Sequence, residues 1–318
     1  MKLKYLAVCA LFLGVFHAFA FDGGLRGKTC LITGATSGIG KETAFELAAR
    51  GCKVIVAARD EDAFLAMAKS EHVHAKNLSF LFLDLSSVKS VANLADAVFL
   101  NNIKIDILIN NAGICLNELK TTPDNLETMF QVNYLSPFLL TELLMRNGAI
   151  KEDATIINMV ADSLEVFSLE SSKFSSFDAG VDWSGSAPGM TAFARSKLML
   201  LMYTFKFATE ASQKYPSMKV IAYHPGDVKT KHFDEQPFGM AKVARLFPKS
   251  PEKVSEDIYA LITNKRPAPK NSKEILVGTK LGSSYRRFAV SEINQDHLYE
   301  ETHKLLSQHG IDIKIIDL

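Results

Sequence analysis

The sequence predicts a doubly wound α/β fold, a seven-stranded parallel sheet with helices on both faces. Two observations predict it. Short, nearly continuous apolar runs, of the kind that mark strands buried on both faces, recur at 29–33, 53–57, 78–83, 105–109, 155–159, 219–223 and 274–277. Stretches with helical spacing alternate with them, as in the segment up to Arg50, where Ile39, Ala44, Leu47 and Ala48 would face a sheet.

Two stretches fit the alternation poorly. Residues 163–190, rich in Ser and Asp, read as a long loop. Residues 231–256 read as a lid whose Phe238, Met240, Leu246 and Phe247 stand beside Lys242, Arg245 and Lys249; such a lid could cover a lipophilic ligand or touch a membrane surface. Residues 294–307 read as a helix, and Ile311 to Leu318 as an apolar tail that needs a covering surface, such as a second subunit in a homodimer.

The 36 basic and 35 acidic side chains leave no electrostatic bias, so nucleic acid is not an implied partner. Cys9, Cys30, Cys52 and Cys115 have neither metal-ligand nor redox spacing, and no metal site is expected. Residues 25–318 are expected to form a single domain. Residues 1–20 differ: Lys2 and Lys4 precede the apolar run Tyr5 to Phe16, and Ala18-Phe19-Ala20 offers a small-x-small cleavage site. The uncharged run to Phe21 also reaches the lower limit for a membrane span. Signal peptide and membrane anchor both stay open, and either places the chain in the secretory pathway, as a secreted or lumenal protein or anchored at the endoplasmic reticulum membrane. Asn77-Leu78-Ser79 is a glycosylation acceptor that reports on topology.

Gly34, Gly38 and Gly40 fall where the first strand turns into a helix. Their missing side chains allow close approach to a pyrophosphate, toward which the helix N-terminus offers partial positive charge. The full motif, Thr33-Gly-Ala-Thr-Ser-Gly-Ile-Gly40, is followed by Asp84-Leu85, by Asn110-Asn111-Ala112-Gly113 and by Pro225-Gly226-Asp227-Val228-Lys229-Thr230, each after a strand. Together these resemble the short-chain dehydrogenase/reductase family over about residues 28 to 280. Gly-Ile-Gly-Lys-Glu-Thr-Ala44 and Tyr223-His-Pro-Gly226 are most similar to its retinol-dehydrogenase-like branch.

The resemblance implies a Rossmann fold and a nicotinamide cofactor, held by Gly34, Ser37, Gly38, Ile39, Gly40, Asp84, Leu85, Asn111, Ala112, Gly113, Lys197, Pro225, Gly226, Val228 and Thr230. After the second strand an NAD-binding member would carry an acid for the ribose 2′-hydroxyl. Here Ala58 stands instead, and Arg59 offers a planar cation suited to a 2′-phosphate, which favours NADP(H) over NAD(H).

The resemblance also implies a catalytic Asn, Ser, Tyr and Lys. Asn133 and Lys197 fit two of these positions, but Phe193 stands where the Tyr would be and Ala161 where the Ser would be, with Ser163 a candidate substitute two residues on. The branch acts on lipophilic, retinoid- or steroid-like alcohols and carbonyls. The two substitutions imply that this activity is weak or lost; the alternative is a non-catalytic cofactor-binding scaffold or sensor.

Overall fold

The computed structural model describes residues 24–70, 74–161, 188–226, 228, 249–265, 275–277 and 289–312. The seven strands are β1 (Thr29–Thr33), β2 (Lys53–Ala58), β3 (Leu78–Phe82), β4 (Ile105–Asn110), β5 (Ile150–Met159), β6 (Lys219–His224) and β7 (Ile275–Val277), in the order β3-β2-β1-β4-β5-β6-β7. All pairs are parallel. The order reverses between β1 and β4, and the crevice at the carboxyl ends of those strands is where such a sheet binds its ligand.

Period-two alternation explains both cores. Leu31, Ile55, Ala57 and Leu108 point to one face, under α3 (Val88–Leu100), α4 (Ser136–Arg146), α5 (Pro188–Lys214) and α7 (Glu292–Gln308). Their neighbours Ile32, Val54, Val56 and Ile109 point to the other, under α1 (Gly38–Ala49), α2 (Glu61–Ser70) and α6 (Pro251–Ile262). The buried apolar face of α1 is the one expected, although Ile39 is only partly covered.

The expected strands all form, with shifted ends. β5 begins at Ile150, five residues before the apolar run predicts, because Lys151, Glu152 and Asp153 sit in an irregularity of its pairing with β4. The segment expected as a loop to residue 190 is helical from Pro188, where α5 begins. Ser163, Thr230, most of the lid, the tail beyond residue 312 and the N-terminal segment lie outside the described residues. Val228 and Lys249 form a parallel bridge, so the two ends of the intervening stretch lie side by side. Among the described residues no helix is long and apolar enough to cross a membrane. Cys30 and Cys52 are buried, whereas Cys115 is half-buried.

Helix α7 is fastened by polar contacts inside an aromatic cluster. Glu142 on α4 is fully buried and accepts from the Tyr203 hydroxyl at 3.1 Å and the Tyr299 hydroxyl at 3.4 Å. Burial pushes its carboxyl up to about 7. A raised carboxyl pKa means that the native state holds the proton more tightly than the unfolded chain, so stability falls as pH rises from about 4.3 to about 7. Denaturant midpoints of the wild type should drop between pH 5 and 8. Glu142→Gln should flatten that slope and gain on the order of 1 kcal/mol at pH 8; an unchanged slope would show that the carboxyl carries no such linkage.

Candidate functional site

The site is built at the switch between β1 and β4. After β1 the chain turns through Gly34 and Gly38, with φ +65° and +55°, backbone angles that a side chain resists. A Cβ on Gly34 would stand 2.8 Å from the Cβ of Ala112, so the glycine lets the two loops touch. They are also stapled. The Thr33 hydroxyl accepts from the backbone N–H groups of Asn111 and Ala112, each at 3.1 Å, and the Asn111 side-chain amide donates to the Thr33 and Gly34 carbonyls at 2.9 and 3.2 Å.

A Cβ on Gly40 would meet the Gly34 carbonyl at 2.7 Å and the side chain of Asn111. Gly40→Ala should therefore destabilise the fold by roughly 1 to 3 kcal/mol, in the overpacking range, and weaken cofactor binding with it. A denaturation midpoint equal to wild type would refute the close packing.

Ser37 occupies the N-cap of α1 with no side-chain cap bond, and the first turn carries no acid. Its outward-facing end, with Gly38 and Ile39 half-buried, suits an anionic ligand rather than a self-capped terminus. Ala58 is buried and Arg59 is exposed beside Asp60, whose carboxylate accepts from the N–H of Ala63 at 2.8 Å. Asp84 accepts from the Ser86 N–H and hydroxyl at 2.9 and 2.7 Å, and buried Leu85 is held by the Ser136 hydroxyl donating to its carbonyl at 2.7 Å.

Deeper in the crevice, Asn133 lies in a π-helical turn (Gln131–Leu135) leading into α4 and is fully buried. It accepts from the Ile114 N–H at 2.8 Å and donates to the Ile114 carbonyl at 2.9 Å and to the Ser196 hydroxyl at 3.0 Å. Ser196 in turn donates to the Phe193 carbonyl at 2.8 Å. Lys197, on the same helix α5, sends its Nζ to the Met159 carbonyl at 2.8 Å. Burial drives its ammonium down to about 8, against a smaller opposing effect from Cys115. Gly113 faces both polar groups: a Cβ there would be 3.1 Å from Lys197 Nζ and 3.3 Å from Asn133 Oδ1. Lys197, Asn133 and the β4 loop thus converge.

Phe193 lies one helical turn before Lys197 and packs with Met129, Met190 and Ala192 in a small apolar cluster bordered by Ile114, Cys115, Leu116 and Ala161. Neither Phe193 nor Ala161 brings a hydroxyl to this cluster. Tyr203, the next phenol along α5, is committed to Glu142 on the side of α4 and α7. Pro225 and Gly226 follow β6, with Gly226 at φ +79°, and Val228 is buried.

Thr33, the first residue of the glycine motif, joins the site through its hydroxyl, and Ser196 and Gly189 join it through contacts with residues distant in the chain. A Cβ on Gly189 would strike the Leu116 carbonyl, so the start of α5 can press against the β4 loop. Nothing local marks such a residue, because its partner lies more than seventy positions away in the chain.

A glycine-lined crevice at the switch of a parallel sheet, an uncapped helix end and the buried Lys197 and Asn133 are features of a Rossmann-type fold, the kind that holds dinucleotides at this point. The short chain dehydrogenase family matches residues 28–182. Over that stretch, just under half of its length, the chain is similar to that family. It is 34% identical to human retinol dehydrogenase 13 over 215 residues (65% of this chain and 61% of the relative), and 35% identical to Bos taurus retinol dehydrogenase 12 over 219 residues (66% and 64%). The aligned regions therefore span about three fifths of these relatives' length. Among solved structures, an uncharacterised protein from Mycobacterium paratuberculosis superposes with TM-score 0.67 at 24% identity, covering 92% of this chain and 96% of its own. The angucycline C-6 ketoreductase LanV, solved with bound NADP, gives TM-score 0.59 at 22% identity, covering 76% and 90%.

Proposed function

We propose that the chain binds NADP(H) in this crevice and that its hydride chemistry on lipophilic alcohols or carbonyls is weak or lost. The observation that carries this reading is the pairing of a preserved cofactor side, Lys197 and Asn133 buried and oriented, with an apolar reacting side at Phe193 and Ala161. The nicotinamide, when bound, supplies or accepts the hydride. The chain's own contributions are position and charge: the glycine turn and the N-terminus of α1 hold the diphosphate, Arg59 faces the 2′-phosphate, and Lys197 holds the ribose. Asn133 fixes the β4 loop against α5 through Ile114 and Ser196. The residues identified here leave the substrate oxygen without a phenol or a serine hydroxyl, so a proton must come from bulk water or from outside the described residues.

The apolar cluster at Phe193, Met129 and Met190 suits a lipophilic ligand, and the retinol dehydrogenases among the relatives are named for such a substrate. Titration calorimetry with NADPH and NADH, followed by turnover on retinoid and steroid carbonyls, tests the proposal. Tight NADPH binding with little or no turnover is expected; robust turnover by the wild type would overturn the impaired chemistry, and no binding would overturn the cofactor site. Arg59→Ala should cut the preference for NADPH over NADH by about tenfold, the worth of one charge-assisted contact. An equal ratio before and after would remove Arg59 from the site.

A further inference from the structure

We infer that the end of the sheet opposite the crevice is a docking face for an anionic lipid bilayer. A lysine stands within two residues of the start of each strand from β1 to β6: Lys28, Lys53, Lys76, Lys104, Lys151 and Lys219. In a parallel sheet all these positions fall at one edge. Lys53, Lys76 and Lys104 are exposed there. Asp106, buried at the same edge, is already shared by Lys28 and Lys151 at 2.9 and 2.7 Å. Exposed Glu152 and Asp153 offset only part of the remaining charge. The chain as a whole carries +1, so the excess belongs to this end rather than to the composition.

The second observation is where the described chain begins. Gly24 and Leu25 line the same groove as Lys28, Lys219 and Lys265, and the Leu25 carbonyl accepts from the Lys28 N–H at 3.1 Å. The uncharged run Tyr5 to Phe21 ends three residues before Gly24. Three residues reach at most about 10 Å, comparable with the Debye length at physiological salt. With that run inserted in a bilayer, the lysine edge is held inside the field of the headgroups and the crevice opens away from it. The sequon sits at the same edge, where the Asn77 amide donates to the Ala48 carbonyl at 2.9 Å instead of standing free for a glycan.

This inference does not depend on the cofactor reading. The test uses the full chain reconstituted into vesicles of phosphatidylcholine alone or with about one third phosphatidylserine, with amine acetylation rates read by mass spectrometry. At about 1 kcal/mol per lysine near an anionic surface, Lys53, Lys76 and Lys104 should react about fivefold more slowly in the anionic vesicles. High salt should abolish the difference. Lys89 and Lys120, exposed at the crevice end, should react alike in both. Combined Lys53→Glu and Lys104→Glu, at two exposed positions outside the crevice, should remove the protection of Lys76. Equal rates at the three lysines in both vesicle types would overturn the inference, as would protection of Lys89 and Lys120 instead, which would put the opposite end on the membrane.

Discussion

Phe193→Tyr combined with Ala161→Ser should raise turnover of a retinoid or steroid carbonyl by NADPH by at least about 10². A positioned general acid is typically worth about 10² to 10⁴ in rate, and a hydrogen-bond donor on the developing oxyanion a further 10² or more. The surroundings are ready for both groups. Phe193 is already buried one turn from Lys197 on α5, whose charge would favour the phenolate of a tyrosine placed there, and Ala161 stands two residues past Met159, the end of β5. Each substitution adds one oxygen and no carbon, so little repacking is required. If the doubly substituted protein folds and binds NADPH as the wild type does but gains no turnover, the loss of chemistry does not lie at these two positions.

Lys197→Met should act in opposite directions on stability and on binding. The free protein holds a buried ammonium whose hydrogen bond goes to a neutral carbonyl, and burial has lowered its pKa to about 8. Because the native state binds this proton less tightly than the unfolded chain, wild-type stability should rise with pH between about 8 and the ordinary lysine value near 10.4. Methionine, of similar length and without charge, should remove that slope and make the free protein more stable at pH 7. NADPH affinity should nonetheless fall about ten- to hundredfold, the range of one hydrogen bond from a charged donor. Affinity in the wild type should weaken above pH 8, up to tenfold per unit, as the ammonium that meets the anionic cofactor is lost. Stability and affinity falling together in Lys197→Met would indicate a structural residue only.

The sequence carried the architecture well because two physical signals repeat along it. Doubly buried strands must be apolar throughout, and the turn after β1 needs residues without side chains; both are written locally, in runs such as Cys30 to Thr33 and in Gly34 and Gly38. Where a strand is interrupted by charge, as at Lys151 to Asp153, the local signal fails although the backbone on either side of the interruption pairs with β4. The site was legible in part for the same reason. Lys197, Asn133 and the substituted Phe193 are placed by motif, whereas Thr33, Ser196 and Gly189 matter only through partners distant in the chain. The buried state of Glu142 was equally invisible, since an acidic residue on an amphipathic helix ordinarily faces water.

The bridge between Val228 and Lys249 has a consequence of another kind. A stretch whose two ends are already held together can change length at little expense, because closing a flexible loop costs only about 0.6 kcal/mol more for each doubling of its residues. Closure at this bridge therefore sets little limit on how many residues lie between its two partners. Selection, or an engineer, can vary that number while the pairing of Val228 with Lys249 keeps the chain after β6 beside the start of α6.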